Sequence, residues 1–206
     1  MQLFVTQFSP YGRMTRILLR EKNLQHKVDE VLARTREKNS PYYDINPSGR
    51  VPYLLRSDGI GFEGSRLILE YLDKLDDTPI LQAATADNYW DYSRLEESAR
   101  GLMDGISVWA RELRRPVKDR STVIIEHEKV RAERVISHWE TDINHPVMQG
   151  PLNYPQLTLA CALCLDQWNL DFEWRGAHPR LEQWLQPFTT RPSFRATTPP
   201  STISLS

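Results

Sequence analysis

Three short segments in the first third of the chain combine hydroxyl, proline and glycine residues in patterns suited to holding an anion or a peptide. Gln7-Phe8-Ser9-Pro10-Tyr11-Gly12-Arg13 lies where the apolar run Leu3, Phe4, Val5 gives way to helical periodicity. Ser9 has the type and place of a helix N-cap, with Pro10 at the first helical position. A capping hydroxyl also faces whatever anion docks at that helix N-terminus. In Asn46-Pro47-Ser48-Gly49-Arg50-Val51-Pro52, a turn leads to a proline that opens a strand. Proline cannot donate to the ladder, and Val51–Pro52 is a candidate for the cis isomer. A cis bond there would turn the N–H and C=O of Val51 outward, toward an extended peptide-like ligand; an edge-strand proline with no ligand reads equally well. Phe62-Glu63-Gly64-Ser65-Arg66-Leu67-Ile68 begins a third element of this kind. Ser65 and the free N–H groups behind it suit a carboxylate, or serve as a plain cap.

Other residues that carry chemistry elsewhere read as structure here. Cys161 and Cys164 have redox spacing but fall within an apolar helical run rather than at a strand-to-helix turn, so they read as small buried residues. His26, His127, His138, His145 and His178 show no metal-ligand spacing, and no metal is expected. Five basic residues lie between Arg111 and Arg120, with Arg114 and Arg115 at a helix end where cations complement the dipole. Tyr89, Trp90 and Tyr92 cluster at the start of a long helix and read as core or dimer packing.

The elements that must position these residues fall into two blocks. The first alternates: a strand at Leu3–Val5, a helix through Met14, Ile17 and Leu18, a strand at Lys27–Leu32, two short strands around the Ser57-Asp58-Gly59 turn, and a helix from Ser65 with Leu67, Ile68, Tyr71, Leu72 and Leu75 as its apolar side. That order, βαβ then ββα, predicts a small mixed sheet with helices on its faces. Beyond Asp76-Asp77-Thr78-Pro79 only helices are expected: a long one through Leu95 to Ala110 ending at Arg115-Pro116, one from about Thr122 to Asp142, one opened by Asn153, Pro155 and Gln156 as a capping box, and one from about His178 to Phe188. The expected domains are residues 1–76 and 86–195, with a linker at 77–85 and an extended or disordered tail at 196–206.

Composition excludes several classes. With 206 residues, 40% of them hydrophobic and 10% aromatic, the chain has enough apolar surface for a core. Lys and Arg number 26 against 27 Asp and Glu, a net charge of −1, so a dedicated nucleic-acid binder is not expected. Two cysteines cannot make a disulfide scaffold. The first ten residues lack a signal peptide's basic start and apolar run, and the apolar stretch at Leu157–Leu165 is too short to span a bilayer. A cytoplasmic location without membrane attachment is expected.

The three segments together resemble the glutathione transferase family. Ser9-Pro10-Tyr11-Gly12-Arg13 is similar to the bacterial S-P-x-x-R start of the first helix, Asn46 to Pro52 to N-P-x-G-K-V-P, and Ser65 to Leu72 to S-R-x-I-x-E-Y-L. In the second half, Gln156–Leu163 resembles the buried core helix, and Ala177-His178-Pro179 and Arg191-Pro192-Ser193-Phe194 also fit. The resemblance implies a thioredoxin-like α/β first domain and an all-α second domain. It implies glutathione as co-substrate, with Val51 pairing the cysteinyl backbone, Ser65 holding the γ-glutamyl carboxylate and Arg50 near the glycyl end. Ser9 would stabilise the thiolate. A small hydrophobic electrophile would lie toward the helical domain, with Tyr11 shared by both subsites, and a homodimer is implied as well. Two departures stand out. Gln7 occupies the position of the tyrosine used by Tyr-type members, and Gly64 stands where the family has Glu, Gln or Asp for the γ-glutamyl amine. Glu63, one residue earlier, is the candidate for that task; otherwise glutathione binds weakly. The alternatives are a non-catalytic binding module, as the stringent starvation protein is, or a glutathione-dependent lyase or isomerase.

Overall fold

The apolar run after Met1 forms β1 (Gln2–Val5), on which the first half is assembled in the computed structural model, which describes residues 1–168 and 171–200. Leu3, Phe4 and Val5 are all buried, as an interior strand requires. β2 (Asp29–Leu32) runs parallel to β1 on one side. β3 (Tyr53–Leu55) runs antiparallel on the other and is followed by β4 (Gly61–Glu63), giving the order β2-β1-β3-β4. The β3–β4 hairpin turns at Ser57-Asp58-Gly59 as expected: Gly59 has φ +84°, and the Ile60 N–H bonds Asp58 Oδ1 at 3.2 Å.

α1 (Pro10–Glu21) buries Met14, Ile17, Leu18 and Leu19, while Arg16 and Arg20 on its other side both pair with Glu30 of β2. Burial pushes the Glu30 carboxyl up, but the two guanidiniums outweigh it and hold the pKa below its ordinary value. α3 (Ser65–Asp73) packs on α1 through Ile68, Leu69 and Leu72. Leu67, expected on that face, is 49% exposed. The buried stripe 65, 68, 69, 72 follows the 3.6-residue period, and Leu67 falls outside it. A one-turn helix, α2 (Tyr42–Ile45), sits in the segment read as a connection.

The second half contains α4 (Tyr89–Leu113), α5 (Thr122–Asp142), α6 (Pro146–Gln149), α7 (Tyr154–Leu163) and α8 (Pro179–Thr190). Every residue of α7 is buried, Cys161 among them, and Cys164 just beyond it is buried too; a helix apolar all round belongs at the centre. α4 packs on both α5 and α7. Asn153 caps α7, its Oδ1 accepting from Gln156 N at 2.9 Å. The expected reciprocal box is not formed, because Gln156 Nε2 donates instead to the Gly150 carbonyl at 3.0 Å, tying down the loop before the helix. Tyr92 is core, donating to Gln82 O at 2.9 Å and accepting from Tyr154 N at 3.1 Å, whereas Tyr89 and Trp90 are exposed. Among the described residues no helix is long and apolar enough to cross a membrane.

The chain divides at Ile80/Leu81, and the described residues after Arg191 cluster with the first unit rather than with the helical one, where the sequence put them through 195. The cause is a set of long-range polar contacts around α9 (Pro192–Arg195). Arg191 Nε donates to Glu21 Oε1 at 3.0 Å, Ser193 donates to the same carboxylate, and Arg13 Nη2 donates to the Phe194 carbonyl at 3.2 Å. The Arg191 hydrogen bond, against burial, lowers the Glu21 pKa. Nor is the start of the expected tail extended: Thr197 is fully buried and bonds back to Ser193 O at 2.8 Å. Positions 201–206 of that tail lie outside the described residues.

Lys22, its side chain 1% exposed, joins the ends of α1 and α3. Its ammonium lies 2.6 Å from Asp76 and 3.6 Å from Asp73, and donates to the Thr78 carbonyl at 2.8 Å. The Lys22 hydrogen bond, helped by Thr78 and opposed by burial, brings the Asp76 carboxyl from 3.8 down to about 2. A carboxyl depressed in the folded state stabilises fully above its unfolded value and loses that contribution as pH falls through its folded value. Asp76→Asn is therefore expected to weaken the fold at neutral pH, with the gap to the unaltered protein narrowing as pH drops from about 4 toward 2. Urea unfolding at a series of pH values measures this, and a gap independent of pH in that window would contradict it.

Candidate ligand site at one end of the sheet

Sheet register decides which loops meet. Phe4 of β1 pairs with Tyr53 of β3, and Tyr53 pairs with Glu63 of β4, forming one row across three strands. β3 runs against both neighbours, so β1 leaves toward α1, β3 arrives from Val51–Pro52 and β4 leaves into α3 at the same end of the sheet. Ser9, Val51 and Ser65 are thereby brought to one edge, with Tyr11 in the first turn of α1.

Ser9 is extended (φ −76°, ψ 116°), and its Oγ accepts from Gly12 N at 3.1 Å. A hydroxyl has one proton and two lone pairs. The cap occupies a lone pair, and the Ser9 O–H proton has no acceptor among the described residues. Capping therefore leaves this hydroxyl able to donate.

Val51–Pro52 is cis. Neither the N–H nor the C=O of Val51 has a hydrogen-bond partner among the described residues. The peptide before it is held firmly. The Arg50 carbonyl accepts from the Tyr42 hydroxyl and from Asn46 Nδ2 at 2.9 Å, and Asn46 Oδ1 accepts from Ser48 N at 3.2 Å. Gly49 completes this turn at φ +65°, where a Cβ would come within 2.7 Å of Tyr43. Burial above all, with the charge of Glu63 adding to it, raises the Tyr42 pKa and keeps the phenol a donor. The Arg50 side chain is exposed and has no ion-pair partner among the described residues.

Glu63 turns toward that loop. Its Oε1 accepts from the Ser48 hydroxyl at 2.9 Å, and Ser48 Oγ accepts in turn from Arg50 N at 3.1 Å. Ser65, 4% exposed, is the first residue of α3 and not its cap. Gly64 takes the cap position at φ +94°, ψ 123°, with no side chain bonding the first turn. The leading N–H groups of α3 are thus without a side-chain cap, the usual setting for an anion. Tyr42, Asn46 and Ser48 were not singled out by the sequence as positioning groups; the i, i+4 spacing of Tyr42, Asn46 and Arg50 was the available signal. Among the described residues no group of three or more His, Cys, Asp or Glu is placed to hold a metal ion.

Residues 8–75 match the model of the glutathione S-transferase N-terminal domain. Over 97% of this chain and 99% of its counterpart, the fold is similar to a glutathione S-transferase from Methylobacillus flagellatus KT solved with glutathione bound, at 26% identity and TM-score 0.85. A glutathione transferase family member from Pseudomonas fluorescens Pf-5, also solved with glutathione, matches at 27% identity and TM-score 0.85 over 97% and 98%. Among curated proteins, the uncharacterised GST-like protein YibF of Escherichia coli K12 is 26% identical over 97% of this chain and 99% of its own.

Asn46→Ala is expected to cost about 1–3 kcal/mol in chemical unfolding, because it strips partners from the Arg50 carbonyl and Ser48 N–H. Gly64→Ala is expected to cost a similar ~1–3 kcal/mol from backbone strain alone, since its Cβ would meet nothing within 4 Å. A neutral Gly64→Ala would show that the loop relaxes to an ordinary φ.

Proposed function

We propose a function from one premise: the chain belongs to the glutathione S-transferase family. It binds glutathione at the sheet edge and adds the thiolate to a small hydrophobic electrophile. The observation that carries the reading is the convergence of an unspent Ser9 proton, an unpaired Val51 peptide and the open N-terminus of α3. In this reading Val51 forms two backbone hydrogen bonds to the cysteinyl residue. Ser65 and the first turn of α3 hold the γ-glutamyl carboxylate. Arg50 meets the glycyl carboxylate, and Glu63 orders the Arg50 loop through Ser48. Tyr11 faces the electrophile.

Electrostatics suffices for the chemical step. A free thiol has a pKa near 8.5, and bringing it about two units lower takes ~2.7 kcal/mol. A hydrogen bond to a charged acceptor supplies ~1.5–3 kcal/mol, and a helix N-terminus adds ~0.3–1 kcal/mol. Ser9 O–H and the N-terminal end of α1 together meet the requirement without a buried base. The thiol proton passes to water, the sulfur lone pair forms the C–S bond, and the displaced electron pair leaves with the electrophile's leaving group or enters its π system.

Replacing the hydroxyl tests this. Ser9→Ala is expected to raise the apparent pKa of bound glutathione by about 1–2 units, with kcat/KM falling in proportion near neutral pH, and Ser9→Thr to retain most activity. The thiolate absorbance followed against pH gives the answer; an unshifted pKa would remove Ser9 from the role. Absence of any calorimetric heat with millimolar glutathione would instead favour the binding-module alternative.

A further inference from the structure

We infer a second reactive centre, within the helical unit and independent of glutathione: Ser137 of α5 is a nucleophile activated by His178, and it takes short acyl groups from activated esters. The Ser137 hydroxyl lies 3.4 Å from His178 Nε2. His178 Nδ1 stands 3.0 Å from the Trp174 carbonyl oxygen. A carbonyl oxygen only accepts, so Nδ1 carries the proton and the neutral ring keeps its lone pair on Nε2, toward the serine. A nucleophile, a base in reach and a group that orients the base make up an activated hydroxyl. Both side chains are accessible, Ser137 being exposed and His178 half-buried. Glu140, one turn further along α5, is engaged with Arg180 N and Leu181 N at 2.9 and 3.0 Å, so the base in reach of Ser137 is His178. Arg134, one turn earlier, is exposed and has no ion-pair partner among the described residues. Positions three apart are neighbours on a helix, so its guanidinium is available to the negative charge that develops on an acyl oxygen. With Trp109, Ile136, Phe172 and Trp174, His178 also lines a cleft of about 40 Å³, room for an acyl chain of one or two carbons. Trp109 brings to this cleft a buried indole N–H without an acceptor among the described residues, a donor suited to a carbonyl oxygen.

In the transfer step the Ser137 Oγ lone pair bonds the ester carbonyl carbon while the hydroxyl proton passes to His178 Nε2. The bond to the leaving oxygen breaks, its electron pair departs with that oxygen, and the proton follows it, leaving acyl-Ser137 and an alcohol. The imidazolium formed in between keeps its Nδ1–H on the Trp174 carbonyl. Brief exposure to p-nitrophenyl acetate without glutathione, followed by peptide mass spectrometry, tests this. Ser137 is expected to gain an acetyl group at least about tenfold faster than Ser57, an exposed serine with no histidine partner among the described residues. His178→Gln is expected to slow acetylation of Ser137 by about 100-fold, the usual weight of a general base. The Ser57 comparison is made within the unaltered protein, so it stands however well the variant folds. Acetylation of Ser137 less than about tenfold faster than that of Ser57, or a His178→Gln rate within about tenfold of the unaltered one, overturns the inference and leaves the glutathione reading untouched.

Discussion

A single register, the row Phe4–Tyr53–Glu63, holds the candidate site together. Side chains alternate faces along a strand, so a one-residue slip of β3 would carry Leu54 out of the core and move Val51 along the edge at the same time. Burial of Leu3 and Leu54, cross-strand partners with no exposed surface, therefore fixes the position of a peptide group two residues before β3 begins. Hydrophobic packing sets the geometry, and the polar groups at the sheet edge inherit it.

What is placed there is mostly uncharged: a hydroxyl, one peptide unit, and the first turns of two helices. Such dipoles are oriented by the backbone and need no reorganisation when a negative charge arrives, which is the condition under which they act strongly. Much of the side-chain effort is spent one step back. Tyr42, Asn46, Ser48 and Glu63 form a chain of hydrogen bonds whose effect is to immobilise the Arg50 peptide and hence the one after it.

Features written in local sequence were legible. α5 spans Thr122 to Asp142 as expected, the Asp58-Gly59 turn joins β3 to β4, and Ser9 caps α1 with Pro10 inside it. Local chemistry was enough in each case. The misreadings all involve competition from a distance. Gln156 has the spacing of a capping-box partner, but the Gly150 carbonyl competed for its amide. Leu67 looked apolar enough for the core, yet the helix phase is set by packing on α1, which selected Leu69. Ser48, fifteen residues away, occupies one Glu63 oxygen and leaves the other without a partner among the described residues. The position of α9 depends on Glu21, about 170 residues earlier, and no local pattern encodes such a pairing.

That last pairing bears on how the molecule is made. Because Glu21 pairs with Arg191 and Ser193, and Arg13 donates to the Phe194 carbonyl, the sheet-containing half is discontinuous in the chain. On the ribosome its strands emerge first and its final turn emerges after the entire helical block. Until then Glu21 of α1 lacks the Arg191 and Ser193 partners that it has in the complete fold. A unit whose strands are synthesised before the helical block is thus completed only after it, and a product terminated before residue 191 would carry this sheet edge on an unfinished support.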